Sequence, residues 1–193
     1  MTQEQFDWLI KKAEELMKDA KDPVHGWEHA KCAVENTKKI FGLLSKEQQS
    51  QVDEKIMIIT AAWHDMSYTK YGVGITQLFW EGLRTVKIVR RYFKKVGVDK
   101  KEIDFVCDII RFHVLSEFNF FNRFKSLTHK IVVDADMLEN FNDKRIQLAD
   151  RIADKSVFRT VLMKVLKPIF FNFWKKHRKF FLNLPEVSGR LIV

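Results

Sequence analysis

Turn-forming residues are scarce in this chain: seven glycines and three prolines serve 193 residues. A strand-rich sandwich turns too often to be built from so few, whereas long helices joined by short connections need little more. An all-α fold is therefore the expectation before any motif is considered. Thr2-Gln3-Glu4-Gln5 has the pattern of a capping box, and Phe6, Leu9, Ile10, Ala13, Leu16 and Met17 follow at helical spacing. Asp22-Pro23 reads as a cap followed by a first-turn proline, opening a helix with Trp27, Ala30, Val34 and Ile40 on one side. A helix that begins there sets His25 and His29 one turn apart on the same face.

Ser45-Lys46-Glu47-Gln48 can cap the next segment, expected to run through Val52, Ile56 and Ile59 into His64-Asp65. Residues 67–75, with Gly72 and Gly74, read as a loop, and Thr76 starts a helix to about Lys95. Asp99-Lys100-Lys101-Glu102 caps another, in which Ile103, Val106, Ile110 and His113 recur on the inward face. The aromatic, basic stretch 119–128 has no regular period. A helical pattern returns over 131–141, Asn142-Asp143 breaks it, and a further helix runs to about Lys167, where Pro168 ends or kinks it. The last helical segment is 169–182.

The length suits one sizeable core, so a single domain over 1–193 is expected. Two cysteines, Cys32 and Cys107, cannot build a disulfide scaffold, and no basic-apolar-small leader precedes the first helix. A reducing, cytoplasmic setting is the expectation. The most apolar stretch, 161–174, is interrupted by Lys164, Lys167, Pro168 and Asn172, which argues against a membrane span. A formal charge of +9 favours anionic partners: phosphate-bearing small molecules, nucleic acid or acidic membrane surface.

Chemistry concentrates at three places. His64-Asp65 closes the apolar run Ile56-Met57-Ile58-Ile59-Thr60-Ala61-Ala62-Trp63, where an imidazole and a carboxylate are costly to desolvate unless a metal ion or hydrogen-bond network compensates them. Upstream lies His25-Gly26-Trp27-Glu28-His29, and downstream Val133-Asp134-Ala135-Asp136-Met137-Leu138-Glu139-Asn140. In the order His, His-Asp, Asp, these segments resemble the HD-domain superfamily of metal-dependent phosphohydrolases, over about residues 22–140.

The resemblance implies a helical HD bundle with the C-terminal helices of 143–182 packed on it, and a metal held by His29, His64, Asp65 and Asp136. Asp136 is preferred to Asp134, which is placed behind the ligands or at the start of the helix. Imidazole nitrogen with carboxylate oxygen is a donor set suited to Mn, Fe, Co, Ni or Mg, as one or two ions, and it leaves positions open for water and substrate. The implied reaction is hydrolysis of a phosphate ester, of a nucleotide or another small phosphorylated metabolite, by a metal-activated water.

Asp65, His25 and His113 are the candidate catalytic residues. His25 either donates to phosphate or the leaving oxygen, or serves as a helix-start hydrogen-bonding group. His113-Val114-Leu115-Ser116 resembles the later histidine segment of small HD proteins, where such a residue lines the pocket or binds a second ion. Lys31, Lys70 and Arg111 are candidates to neutralise substrate phosphate. Small HD proteins often carry a basic residue three positions after the first metal histidine, whereas Cys32 stands there, beside Lys31. The His-His-Glu and Gly-Tyr-Pro elements of cyclic-dinucleotide hydrolases are missing, and Met66-Ser67-Tyr68-Thr69 replaces the Glu-Asp pair of alarmone hydrolases.

The C-terminal run Phe173-Trp174-Lys175-Lys176-His177-Arg178-Lys179-Phe180-Phe181 mixes rings with cations, as nucleic-acid platforms and membrane-surface helices do. Phe170, Phe173, Trp174, His177 and Phe181 recur at helical spacing, however, which favours packed rings with Lys175, Lys176, Arg178 and Lys179 facing water. Two rival readings accompany the phosphohydrolase: a non-catalytic HD module that senses a nucleotide, and a nucleic-acid-binding protein that uses this basic helix.

Overall fold

A computed structural model describes residues 1–72, 75–113, 126–139, 147–148 and 182–191, with the side chains of 75 and 78 left out. Every regular element among them is helical: α1 Gln3–Met17, α2 Trp27–Gly42, α3 Lys46–Gln49, α4 Glu54–Trp63, α5 Ile75–Lys95, α6 Lys100–Phe112, α7 Leu127–Glu139 and α8 Pro185–Ser188, with 3-10 turns at Pro23–His25, Met66–Thr69 and Gly189–Leu191. The all-α expectation holds. Among the described residues, no helix is long and apolar enough to cross a membrane.

The reason for the architecture lies in α4. All eight residues from Ile56 to Trp63 are buried, so beyond its first turn this helix has no solvent face and must be surrounded. α1, α2, α6 and α7 pack around it. On one side Trp63 meets Leu9, Met17, Phe93 and Ile110, and its indole N–H donates to the Leu9 carbonyl at 3.2 Å. On the other side Met57 and Ile58 meet Ile40, Ile131, Val132 and Ala135. Each such apolar side chain contributes about 1.5–3 kcal/mol by leaving water. The one hydroxyl in the run, on Thr60, donates to the Ile56 carbonyl at 2.6 Å and so is not left unsatisfied.

Several element boundaries differ from the sequence reading. Asp22-Pro23 does not open α2. Pro23–His25 is a separate turn, and extended Gly26 (φ −85°, ψ −167°) divides it from the helix. Asp22 makes no cap bond because its carboxylate accepts from His25 Nδ1 at 2.5 Å instead. Glycine suits the junction, since a Cβ there would sit 3.2 Å from the Pro23 carbonyl oxygen. The Ser45 capping box forms but serves only α3, and α4 is capped afresh by Asp53, which accepts from the Ile56 N–H at 3.0 Å. Met66–Thr69, which overlaps the start of the loop expected over 67–75, is a 3-10 turn. α7 begins at Leu127, inside the stretch that showed no period, with Ser126 Oγ accepting from the His129 N–H at 3.2 Å. The Asn142-Asp143 break, the helix to Lys167, the Pro168 kink and the aromatic basic helix lie outside the described residues.

Two contacts fix the elements that carry chemistry. Asp134, wholly buried at mid-α7, accepts from the Asn183 backbone (2.7 Å) and side-chain (2.9 Å) N–H groups, the Leu184 N–H (2.8 Å) and the Ser188 hydroxyl (2.7 Å). Burial pushes its carboxyl up, against those four bonds, which lower it. The expectation that Asp134 stands behind the ligands or at the helix start is thereby corrected: it anchors residues 183–188. The second contact joins α5 to α6, where a Cβ on Gly82 would lie 2.5 Å from the Arg111 carbonyl oxygen. The backbones touch there because residue 82 has no side chain. Gly82→Ala must push the two helices apart, and overpacking of this kind lowers unfolding free energy by about 1–3 kcal/mol. Urea denaturation measures it, and a wild-type midpoint would show that the close approach is not needed.

Candidate metal centre

Three segments far apart in the chain deliver their polar ends to one point. His29 stands in the first turn of α2, His64 and Asp65 end α4, and Asp136 lies near the end of α7. His64 Nδ1 donates to the Ala61 carbonyl at 2.7 Å. A carbonyl can only accept, so the ring's other nitrogen, Nε2, is the lone-pair atom of the neutral imidazole. His113 repeats the arrangement at the end of α6, where its Nδ1 donates to the Ile110 carbonyl at 2.6 Å.

The donor atoms crowd together. His29 Nε2 lies 3.1 Å from His64 Nε2, 3.1 Å from Asp65 Oδ2 and 3.2 Å from Asp136 Oδ1. His64 Nε2 lies 3.3 Å from Asp65 Oδ2 and 3.5 Å from Asp136 Oδ1. Ligands about 2.1 Å from a shared ion stand roughly 3.0–3.4 Å from one another, so these spacings match the edges of a coordination polyhedron. The side chains of His29, His64 and Asp65 are at most 4% exposed, while Asp136 is 19% exposed and marks the side facing solvent. The set suits a divalent ion on its chemistry: two imidazole nitrogens, each close to the same two carboxylate oxygens and mostly out of water.

Electrostatics reinforces that fit. Burial by itself would lower His64, but Asp65 and Asp136 outweigh it and carry the imidazole to about 10. Against their own burial, the neighbouring histidines hold Asp65 and Asp136 well below the usual carboxylate range. Without a metal, protons are thus the cations that hold the cluster together. A divalent ion would take their place and release them.

A second group adjoins the first through the other oxygen of Asp65. His64, Asp65 and His113 offer donor atoms within 4.8 Å of one another. His113 Nε2 lies 3.5 Å from Asp65 Oδ1 and 3.3 Å from Oε1 of Glu81, a buried residue of α5. The Tyr68 hydroxyl donates to Glu81 Oε2 at 2.8 Å. Burial raises the Glu81 carboxyl, helped by Asp65 and opposed by His113. Burial also raises the Tyr68 phenol, so it stays a proton donor.

His25 is held beside the cluster rather than in it. Its ring stacks on Tyr68 with centroids 4.0 Å apart, and meets His29 edge-on at 5.9 Å. The two histidines approach from a turn and a helix, not from one helical face as the spacing suggested. Lys31, Lys70 and Arg111 are exposed, and the Arg111 guanidinium lies over its neighbour Phe112 at 5.4 Å. The structure does not draw these three cations into the cluster. Cys32 is half-buried, and burial together with Glu139, Glu35 and Glu28 raises its thiol despite Lys31. A neutral thiol in acidic surroundings does not replace a phosphate-binding base.

Sequence reading missed Glu81, Tyr68 and the buried partner Asp22. One signal was present for Glu81: Gln77, Glu81 and Thr85 recur every four residues, a polar stripe along the buried side of α5. Comparison of the chain with family models, with curated proteins and with solved structures gave no match. The geometry therefore carries the functional argument.

The His64 shift has a consequence for metal-free protein. A histidine whose folded pKa is raised adds stability that is fully present below its unfolded value near 6.5 and is lost as the pH climbs to about 10. Thermal midpoints of chelated protein should fall from pH 6.5 to 9, and His64→Ala should flatten that slope. Adding Co should raise the midpoint most at the alkaline end, because displacing the proton costs less as the pH approaches about 10. A pH-independent midpoint in chelated wild type would contradict the proton-compensated cluster.

Proposed function

We propose that this protein is a metal-dependent phosphohydrolase of the HD-domain type, acting on a phosphate ester of a nucleotide or another small phosphorylated metabolite. The observation that carries the reading is that His29 Nε2 and His64 Nε2, 3.1 Å apart, each lie within 3.5 Å of Asp65 Oδ2 and of Asp136 Oδ1, in the chain order His, His-Asp, Asp. Those four residues would hold the ion. When bound, a divalent cation such as Mn, Fe, Co, Ni or Mg supplies the Lewis acidity that makes water nucleophilic near neutral pH and draws charge from a phosphoryl oxygen.

The remaining residues provide orientation and protons. Asp65 turns Oδ2 to the two ligand histidines and Oδ1 to His113, so one carboxylate fixes both sides of the site. His113, between Asp65 and Glu81, either carries a proton there or serves a second ion with Asp65 and His64. His25, oriented by Asp22 and by the Tyr68 ring, would donate a proton to the leaving oxygen. The excess of positive charge over the chain, +9, favours an anionic substrate.

Chelated protein should be inactive on p-nitrophenyl phosphate and nucleoside monophosphates, and Mn, Co or Ni should restore turnover. His64→Ala and Asp65→Ala should lose both bound metal and activity while retaining helical circular dichroism. His25→Ala should keep its metal and lose roughly 10²–10⁴-fold in kcat, as removal of a general acid does. Fully loaded protein that turns over nothing on a broad phosphoester panel, yet binds a nucleotide tightly, would replace the enzyme with the sensor reading.

A further inference from the structure

Arg84, on α5, is held without a counter-charge among the described residues. Its guanidinium donates from one terminal nitrogen to Gln77 Oε1 at 2.6 Å and lies over the Tyr71 ring at 4.3 Å from the centroid. Among the described residues its recorded polar partner is a neutral amide. Arg90, six residues further along the same helix, shows the ordinary alternative: it pairs with Asp104 at 2.6 Å. An arginine that serves packing alone is normally left mobile in water or paired with an acid, because ordering a long side chain costs entropy.

The fixed group is tied to the edge of the candidate centre. Gln77 Nε2 donates to Ser67 Oγ at 2.5 Å, and Ser67, two residues after Asp65, has its backbone N–H bonded to Thr85 Oγ1 at 3.2 Å. Glu81 lies between Gln77 and Arg84 on the helix and reaches His113. Arg84 therefore belongs to the same stripe of α5 that touches the cluster, since residues three and four apart on a helix are neighbours.

We propose that Arg84 is an oxyanion-binding residue that receives a phosphoryl group at the edge of the candidate centre. A guanidinium has five N–H donors in a planar fork. Gln77 takes one of them, and the Tyr71 ring, its centroid 4.3 Å from the guanidinium carbon, accepts no conventional hydrogen bond from the rest. The donors left on that edge match two oxygens of a tetrahedral anion, and the anion supplies the negative charge that the described residues do not. Lys31, Lys70 and Arg111 offer charge but are exposed, so they give no comparable preorganisation. That the anion belongs to a substrate rests on the phosphohydrolase reading; that Arg84 binds phosphate does not.

The test titrates inorganic phosphate into the full chain by calorimetry, with and without Co, for wild type, Arg84→Gln, Arg84→Lys and Tyr71→Leu. Loss of the charged fork should weaken phosphate binding about ten- to a hundredfold in Arg84→Gln, with metal content unchanged. Arg84→Lys should keep part of the affinity through its point charge, and Tyr71→Leu should give an intermediate loss with the charge intact. Should Arg84→Gln fail to fold, the Tyr71→Leu and Arg84→Lys affinities decide the matter. With p-nitrophenyl phosphate as substrate, the KM of Arg84→Gln should rise more than kcat falls. Wild type that binds no phosphate, or variants that lose thermal stability but keep wild-type phosphate affinity and KM, would overturn the proposal. Arg84-dependent phosphate binding by a protein that hydrolyses nothing would remove the enzyme reading and leave this one standing.

Discussion

Two imidazoles 3.1 Å apart, each within 3.5 Å of the same two carboxylates and almost entirely out of water, are the constraint on which the rest of the structure depends. Burying ionised groups is costly unless opposite charge is buried with them, and removing one partner leaves the other uncompensated. The all-round apolar helix α4 ends at this point, so its last residues cannot turn to solvent for relief. Positive charge has to be brought in. Protonated histidine supplies it when no metal is present, and a divalent ion meets the same need with geometry suited to the spacing.

Helix ends do the positioning. The final carbonyls of a helix lack intrahelical partners, and at both α4 and α6 a histidine just beyond the last turn donates its Nδ1 proton to the carbonyl three residues back. One bond therefore does two things: it satisfies an orphan acceptor, and it aims Nε2 into the cluster in a fixed tautomer. The ring orientation follows from helix termination itself. Gly82 supplies the remaining condition, since the contact of α5 with the Arg111 backbone holds the helix bearing Glu81 against the one that ends at His113.

Much of this was legible in the sequence because it is periodic or local. Scarce glycine and proline, capping patterns and apolar spacing indicated helices, and the order of His29, His64-Asp65 and Asp136 picked out residues that the structure brings together. Boundaries were harder where two signals compete. Asp22-Pro23 looks like a helix start, yet the Asp22 carboxylate is taken by a histidine, and a second cap at Asp53 divides what seemed one segment. The Gln77, Glu81 and Thr85 stripe marks Glu81 as inward-facing, but its role depends on a contact between α5 and α6 that the stripe alone does not reveal. Charge alone marks Lys31, Lys70 and Arg111 as phosphate-binding candidates, and charge does not say which way a side chain is held.

Asp134 and Asp136 show how one helix can serve two purposes with one residue type. Two positions apart, they project about 200° around the axis from each other. Asp136 turns to the histidines, whereas Asp134 turns away and gathers four hydrogen bonds from residues 183–188. Leu184, Val187 and Leu191 add apolar contact to the cluster that includes Ile131, Val132 and Ala135 on α7. On its other side α7 packs against α2, where the Asn36 side chain donates to the Ala135 carbonyl at 3.3 Å. Asp136 is thus carried by a helix clamped from both flanks, by the element that bears His29 and by a segment from the far end of the chain. Its carboxylate reaches the cluster through long-range packing, which is why two aspartates separated by a single alanine can have unlike surroundings and unlike roles.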